Sequence, residues 1–221
     1  IPSDLVETFV EQARVGATSF GRPWAGISGQ PVDADMAGPL GLDRPGGIIV
    51  SGLHAASPFL AAGLDVGDVI TAVDGQPVNT PNEMVYRMSV VGLGKSAQIT
   101  RLRKGRAAQI PVDLIAAPDT PARDQLTLAE RSILPGLTLA RVNPAVISEM
   151  NLPLEAQGVV VMEAGPFAPR VGLRRGDVIL RINDIEVTHP QEAATVLGGQ
   201  VRRFQMVVQR GAQRVSLRFR I

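Results

Sequence analysis

The sequence predicts a mainly β protein of the α+β class, built from two copies of one small domain. Three observations lead to this: residues 63–83 recur as residues 172–192, most apolar residues stand in short β-branched runs, and each copy has one clear helix start. Nine of the 21 aligned positions are identical without a gap, at an offset of 109 residues. Each copy is predicted to be a five- or six-stranded, partly open β-barrel or sandwich with one or two helices.

The repeat divides the 221 residues into four segments. Residues 1–20 are a terminal helix, residues 21–116 the first copy, residues 117–130 a linker and residues 131–221 the second copy. The linker is placed there because the prolines and polar residues that begin it have neither helical nor strand periodicity.

The terminal helix belongs to neither copy. It begins at Ser3, and its apolar residues recur at the spacing of one helix face. We expect that face to pack against a domain upstream of this chain. Its apolar residues are Leu5, Val6, Phe9, Val10 and Ala13.

Within each copy, strands are predicted from β-branched runs that end at turn residues. The first strand covers residues 48–53 in one copy and 158–162 in the other. The next, Asp68–Val73 and Asp177–Ile182, ends at a pair of residues that tolerate left-handed backbone. We expect Asp68 and Asp177, which follow a glycine, to accept backbone hydrogen bonds at the strand start.

A helix and a hairpin complete each copy. Thr80-Pro81-Asn82-Glu83 is a helix start, because it has a cap residue, a proline at the first helical position and a glutamate that reaches back to free N–H groups. His189-Pro190-Gln191-Glu192 takes the same place in the second copy, and the helices end near Gly92 and Gly198. Two strands around a basic turn then follow in each copy. The arginines of the last two strands are expected on a solvated face: Arg202, Arg203, Arg210, Arg214, Arg218 and Arg220.

Composition excludes several classes of function. The 22 Lys and Arg balance 21 Asp and Glu, so the net charge of +1 gives no general attraction to nucleic acid. Without cysteine there is no disulfide, thiolate metal site or cysteine nucleophile, and two distant histidines make no metal site, so no cofactor is expected. No apolar run approaches the roughly 20 residues that span a bilayer, so no integral membrane segment is expected.

The Gly-Leu-x-x-Gly-Asp-Val-Ile run, the turn after it, the Pro-Glu helix start and the closing hairpin resemble PDZ domains of the bacterial kind. Two such copies after an Ile1-Pro2-Ser3 helix start resemble the C-terminal half of HtrA/Deg (Do-like) periplasmic serine proteases. The resemblance implies a peptide-binding tandem for a trypsin-type endopeptidase and chaperone of protein quality control in the periplasm. Its implied partners are unfolded-protein or C-terminal peptides, its own protease domain and neighbouring subunits.

The resemblance also implies a binding site in the first copy. The peptide carboxylate would lie on the loop Trp24-Ala25-Gly26-Ile27, with Arg22 as a charge-assisted contact. The peptide would pair with the strand from Ile27 through Gly29, which includes Ser28. The facing helix would supply an apolar pocket from Pro81, Val85 and Met88, with Met84 as the alternative to Val85.

The second copy departs from this pattern. Its loop is Leu134-Pro135-Gly136-Leu137, in which Pro135 has no N–H to donate, and its helix would present Pro190, Ala194 and Leu197. We therefore expect weaker carboxylate capture there, with neighbouring subunits or internal segments as the alternative occupants.

Two other functions stay open. The tandem is a structural module for oligomerisation without its own peptide ligand, or it is an enzyme that uses Ser28 in Gly26-Ile27-Ser28-Gly29-Gln30. The second is disfavoured, because the final glycine of a trypsin-like motif is absent and only His54 and His189 could serve as a base. No catalytic residue is assigned in this chain.

Overall fold

The computed structural model describes residues 10, 14, 21–199 and 203–220. They fall into two compact units, divided between Pro118 and Asp119. Of the predicted terminal helix, residues 1–20, only Val10 and Arg14 are described, and both are helical. The other residues of that prediction lie outside the described ones.

Between residues 21 and 118, the first unit is one open antiparallel sheet with three helices. Its strand order is β1-β2-β3-β5-β6, with β4 beside β3, and every pairing is antiparallel. The strands are β1 (Ile27–Pro31), β2 (Ile48–Leu53), β3 (Val69–Val73), β4 (Gln76–Pro77), β5 (Ser96–Arg103) and β6 (Arg106–Asp113). The helices are α1 (Ala34–Leu40), α2 (Pro58–Ala61) and α3 (Pro81–Val91).

The second unit repeats this sheet and adds one strand. Its order is β13-β12-β10-β9-β8-β7, with β11 beside β10. The strands are β7 (Leu126–Thr127), β8 (Thr138–Arg141), β9 (Val159–Glu163), β10 (Val178–Ile182), β11 (Ile185–Glu186), β12 (Arg203–Arg210) and β13 (Gln213–Arg220). The helices are α4 (Pro144–Met150), a 3₁₀ turn (Ala168–Val171) and α5 (Pro190–Leu197). The predicted mainly β, two-domain fold is confirmed, with open sheets in place of closed barrels.

The segment predicted as a linker, residues 117–130, belongs to the second unit from Asp119 onward. The Asn143 side-chain amide, at the start of α4, donates to Asp119 Oδ1 at 2.5 Å and to the Pro121 carbonyl at 2.7 Å. Further along the segment, β7 pairs with β8. These contacts order a stretch whose composition alone is typical of a linker.

A buried aspartate in the first unit forms an ion pair with an arginine. Asp68 is 1% exposed and accepts from Arg103 Nε and Nη2, each at 2.6 Å, while Nη2 also donates to the Gly63 carbonyl at 2.9 Å. The Asp65 N–H donates to Asp68 Oδ2 at 2.9 Å. Burial raises the pKa of Asp68, but the hydrogen bonds from Arg103 and Asp65 and the arginine charges outweigh it, so the pKa lies below its usual value.

The second unit has the same buried ion pair. Asp177 is 1% exposed and accepts from Arg210 Nε at 2.7 Å and Nη2 at 2.8 Å, and Nη2 donates to the Gly172 carbonyl at 2.8 Å. The Arg174 N–H donates to Asp177 Oδ2 at 2.8 Å. The predicted backbone hydrogen bonds are confirmed in both units. The prediction of a solvated face is wrong for Arg210, because its guanidinium neutralises this buried carboxylate.

The helix starts fix α3 and α5 as the sequence predicts. Thr80 Oγ1 accepts from the Glu83 N–H at 3.2 Å, and Glu83 Oε2 accepts from the Asn79 N–H at 2.7 Å. In α5, Glu192 Oε2 accepts from the Thr188 N–H at 2.8 Å and the His189 N–H at 3.1 Å. Each helix thus begins at its proline and lies over the sheet core. Across the part of the chain that the structure describes, no helix is long and apolar enough to cross a membrane.

Candidate functional site

The first unit leaves one edge of β1 open. Within the described residues β1 ends its sheet, because it pairs with β2 alone, and α3 packs against it. An edge strand presents a row of unpaired N–H and carbonyl groups, so it can accept another strand. A groove between an open edge and a helix suits an extended peptide.

The loop that leads into β1 is held through the carbonyls of Ala25 and Gly26 and through the Trp24 N–H. The Ser57 hydroxyl donates to the Ala25 carbonyl at 2.6 Å, the His54 N–H donates to the Gly26 carbonyl at 2.9 Å, and the Trp24 N–H donates to the Ile115 carbonyl at 2.9 Å. The N–H groups of Ala25 and Gly26 have no acceptor among the described residues. The loop therefore keeps two adjacent donors for an anion.

Gly26 is required by this loop. Its φ is +60°, and a Cβ there would lie 2.8 Å from Trp24 Cη2 and 3.0 Å from Ser57 Cβ. Trp24 is 8% exposed and meets the His54 ring edge to face, with 5.4 Å between centroids. Trp24 thus packs against the back of the loop.

His54 supports the same loop in its neutral form. Its Nδ1 accepts from the Ala56 N–H at 3.0 Å, which places the ring proton on Nε2. Burial lowers the pKa of His54 below the usual 6.5. The ring next to Trp24 is therefore uncharged at neutral pH.

The predicted pocket residues lie at two depths. Met84 is 1% exposed and Met88 is fully buried, and both belong to the core that also holds Ala25. Pro81, Val85 and Ile27 are half-buried. The Met88 side chain is therefore inaccessible to solvent, whereas the side chains of Val85 and Ile27 are partly accessible. Ser28 is half-buried in β1, and Arg22 is exposed before the loop.

The loop of the second unit has its donors already engaged. The Gly136 N–H donates to the Leu128 carbonyl at 3.0 Å, the Leu137 N–H donates to the Leu134 carbonyl at 3.2 Å, and Pro135 has no N–H. The φ of Gly136 is +77°, so the backbone keeps the left-handed turn of the first loop. The turn is conserved between the copies while its anion-binding capacity is not.

The edge of β8 is also occupied. In β7, Leu126 pairs with Leu139 and Thr127 with Thr138, and the two threonine Oγ1 atoms lie 2.9 Å apart. Leu128, one residue on, is 5% exposed. It belongs to the buried cluster that includes Leu134, Leu137, Ala193 and Leu197, while Ala194 is half-buried and Pro190 is buried. The second groove is filled by the chain itself.

Three features of the site were missed from the sequence. The Ser57 hydroxyl, which caps α2 by accepting from the Phe59 N–H at 3.1 Å, also holds the loop; the Ser-Pro pair signalled only the cap. For the Asp68–Arg103 and Asp177–Arg210 ion pairs, the sequence signal was the basic turn in each copy, which contains the arginine but does not identify its partner. The short strand β7 had no signal of its own.

Known proteins with similar sequences agree with this geometry. The model of the PDZ domain matches residues 25–114 and again residues 158–210. The probable periplasmic serine endoprotease DegP-like of Brucella suis biovar 1 (strain 1330) is 32% identical over 83% of this chain and 35% of its own length. Its counterpart in Pseudomonas putida (strain GB-1) is 33% identical over 77% of this chain and 36% of its own length. The chain thus spans about a third of these relatives.

Among solved structures, the HtrA-type protease AlgW with tripeptide is similar, with 26% identity over 53% of this chain and 39% of its own, and a TM-score of 0.44. Because that TM-score is below 0.5, the assignment of this chain to a family comes from the sequence matches. The two matches fall on the two units and together cover most of the described residues. This chain therefore belongs to the PDZ-domain family and carries two of its domains in tandem, homologous to those of DegP-like periplasmic serine endoproteases.

Proposed function

We propose that the first PDZ domain binds hydrophobic C-termini, or extended segments of unfolded proteins, on behalf of a serine endopeptidase. The observation that supports it most directly is the pair of N–H groups, on Ala25 and Gly26, that have no acceptor among the described residues and stand at the start of an open edge strand. A peptide carboxylate would accept from both. Main-chain bonds to β1 would hold the preceding residues.

Selectivity for the last side chain would come from the apolar groove. Ile27 and Val85 are its accessible walls, and Met88 is its buried floor. A methionine floor adapts to side chains of different shape, so Val, Leu and Phe are all acceptable last residues. Arg22 is exposed before the loop and would add a charge-assisted contact to the carboxylate.

The role of the parent protein follows from its relatives. These are named periplasmic serine endoproteases, so the tandem would recruit misfolded envelope proteins to a protease domain in the same compartment. Binding a substrate terminus next to the active site raises the local concentration of cleavable chain.

A structural role in assembly is the second candidate. It is favoured for the second domain by the engaged donors of the Leu134–Leu137 loop and by the occupied edge of β8. A domain that lacks a free groove has no peptide to select, but its surface remains available to neighbouring subunits.

Trp24 is the only tryptophan and reports on the first groove, so its fluorescence tests the proposal directly. Peptides ending in Val, Leu or Phe would be titrated with a free or an amidated C-terminus, with calorimetry in parallel. Binding that is lost on amidation supports capture of the carboxylate. Equal binding of both forms points to extended internal segments, and no binding by either method leaves the assembly role.

A matched pair of variants localises the signal. Gly26→Ala places a methyl group against the Trp24 ring and is expected to weaken binding at least tenfold. Gly136→Ala makes the same change in the second loop and should leave the affinity unchanged. Equal loss in both variants would contradict a site in the first groove.

A further inference from the structure

We infer that the second groove is a site for an internal extended Leu-x-Leu segment, and that residues 126–128 of this chain are its resident ligand. The inference concerns the second domain alone and does not depend on what the first groove binds. The loops Trp24–Ile27 and Leu134–Leu137 align, and each leads into the strand beside its groove. Both strands have an irregular register at the same place, Ser28/Gly29 and Thr138/Leu139.

Leu128 occupies the position of a ligand's last residue. Its N–H donates to the Leu137 carbonyl at 2.9 Å, and its carbonyl accepts from the Gly136 N–H at 3.0 Å. A peptide terminus held by this loop would make the same two bonds with its own N–H and one carboxylate oxygen. The chain continues through Ala129, so Leu128 brings one neutral oxygen where a terminus would bring two that share a charge.

This difference accounts for the proline in the loop. A neutral carbonyl is satisfied by one donor, the Gly136 N–H, so the donor that Pro135 lacks is not needed. A carboxylate would leave oxygen lone pairs unpaired at the same place. The loop chemistry therefore suits an internal segment and is unfavourable for a free C-terminus.

The side chains of the segment alternate as a strand ligand requires. Leu128 is buried among Leu134, Leu137 and Leu197, Leu126 is half-buried, and Thr127 between them is exposed and contacts Thr138. Two apolar residues separated by one polar residue are thus the recognised pattern. A free peptide of this kind has to displace a segment whose effective concentration, through its tether, is of order millimolar.

Amide hydrogen exchange on the unmodified 221-residue chain is the first test. The Gly136 and Leu128 N–H groups should exchange at least tenfold more slowly than those of Ala25 and Gly26, relative to their intrinsic rates. If the Gly136 N–H exchanges as fast as that of Gly26, the groove is not occupied in solution and the inference is wrong.

A covalent lock tests the same point from the other side. Thr127→Cys with Thr138→Cys places two thiols where hydroxyls now lie 2.9 Å apart, in a chain that has no other cysteine. The pair should oxidise readily to a disulfide while Trp24-reported peptide binding is unchanged. Thiols that stay free under oxidant, in a folded protein, would show that β7 does not lie on β8.

Opening the groove is the third test. In Leu126→Ala with Leu128→Ala, a labelled peptide of the sequence of residues 124–130, Asp-Gln-Leu-Thr-Leu-Ala-Glu, should bind at least tenfold more tightly than to the unmodified chain. Ile185→Ala, at a side chain 51% exposed in the same unit, is the control and should not bind the peptide more tightly. A folded double variant that gains no affinity would overturn the inference. If that variant does not fold, the exchange and locking tests still decide the question.

Discussion

The loops Trp24–Ile27 and Leu134–Leu137 have the same backbone turn but differ in what their N–H groups contact. Gly26 and Gly136 both turn the chain at positive φ, and both loops lead into a strand with the same irregularity. In the first loop the carbonyls are tied and two N–H groups remain, whereas in the second the N–H groups are spent on the chain itself. The two copies therefore share the loop and strand backbone that forms the frame of the site, whereas the occupant of the groove differs.

Removing the buried carboxylate tests the Asp–Arg ion pair that both units share, and it should have the largest effect on the unfolding free energy. Asp68→Ala removes the buried acceptor of three hydrogen bonds, two from Arg103 and one from the Asp65 N–H, and should cost about 3 kcal/mol of unfolding free energy. Asp177→Ala should cost the second unit a similar amount. Urea unfolding followed by Trp24 fluorescence reports the first unit, and circular dichroism reports both. An unchanged unfolding free energy of the first unit in Asp68→Ala would show that the Asp68–Arg103 ion pair does not stabilise it.

Glycine replacement in the loops comes next and separates the two copies. In Gly26→Ala, the positive φ and the approach to Trp24 Cη2 at 2.8 Å should together cost about 2 kcal/mol. In Gly136→Ala the nearest atom, Pro166 Cδ, is 3.4 Å away, so only the backbone cost of about 1 kcal/mol is expected. Thermal denaturation of both variants gives the comparison. Equal losses would mean that Trp24 yields to the methyl group.

The hydroxyl of Ser57 exists only in the first copy, since Pro166 takes the corresponding place in the repeat. Ser57→Ala removes both the α2 cap and the bond to the Ala25 carbonyl, at an expected cost of about 1 kcal/mol. Because that bond orients the free donors, peptide affinity should fall several-fold more than stability alone explains. Calorimetric titration well below the unfolding temperature measures it, and an unchanged affinity would make Ser57 a cap and nothing more.

The fold was predictable from the sequence because its signals are local. The start at Thr80-Pro81-Asn82-Glu83 and the β-branched strands identify themselves within a few residues, and the repeat supplied the domain count. The Asp68–Arg103 pair joins residues 35 positions apart, so its partners could not be matched before the register of β3 on β5, in which Val69 pairs with Leu102, was known. Local patterns thus gave the elements but not the contacts between them.

The second groove shows the same limit more sharply. Leu126-Thr127-Leu128 is too short to show a strand period and stands in a polar stretch typical of a linker. Only the pairing with β8, which is a tertiary contact, makes it a strand. The absent donor of Pro135 did signal a change of ligand, although it did not say which segment would take the place. The assignment of individual pocket residues stays a prediction.

Acid should weaken the first loop through His54. Its pKa is below 6.5 in the folded state because the ring is partly buried, so the unfolded chain takes up the proton first as the pH falls. Stability is therefore unaffected above pH 6.5 and declines as the pH falls from there through the lowered pKa. Urea midpoints at pH 7.5 and pH 5.5, followed by Trp24, measure the decline. His54→Gln should remove that part of the pH dependence, and a decline that persists undiminished would assign it to another group.

The smallest effect on the unfolding free energy is expected at a position where the two sheets carry different residues. Arg101 pairs across the sheet with Ile70, and its counterpart Val208 pairs with Ile179. Arg101 Nη1 lies 3.5 Å from Asp68 Oδ2, but neither it nor Nε makes a hydrogen bond, whereas Val208 is fully buried in the repeat. The charge of Arg101 therefore adds little to a carboxylate that Arg103 already satisfies, while its burial is unfavourable.

Arg101→Val should change the unfolding free energy by no more than about 0.5 kcal/mol, because the loss of attraction to Asp68 and the relief of burying the guanidinium nearly cancel. The same urea titration, monitored at Trp24, measures it, and Arg103→Val is the matched control that should be much less stable. A large loss of unfolding free energy in Arg101→Val would show that two arginines stabilise the buried aspartate of the first copy, whereas one does so in the second. The two domains would then differ in the electrostatics of their sheets as well as in their grooves.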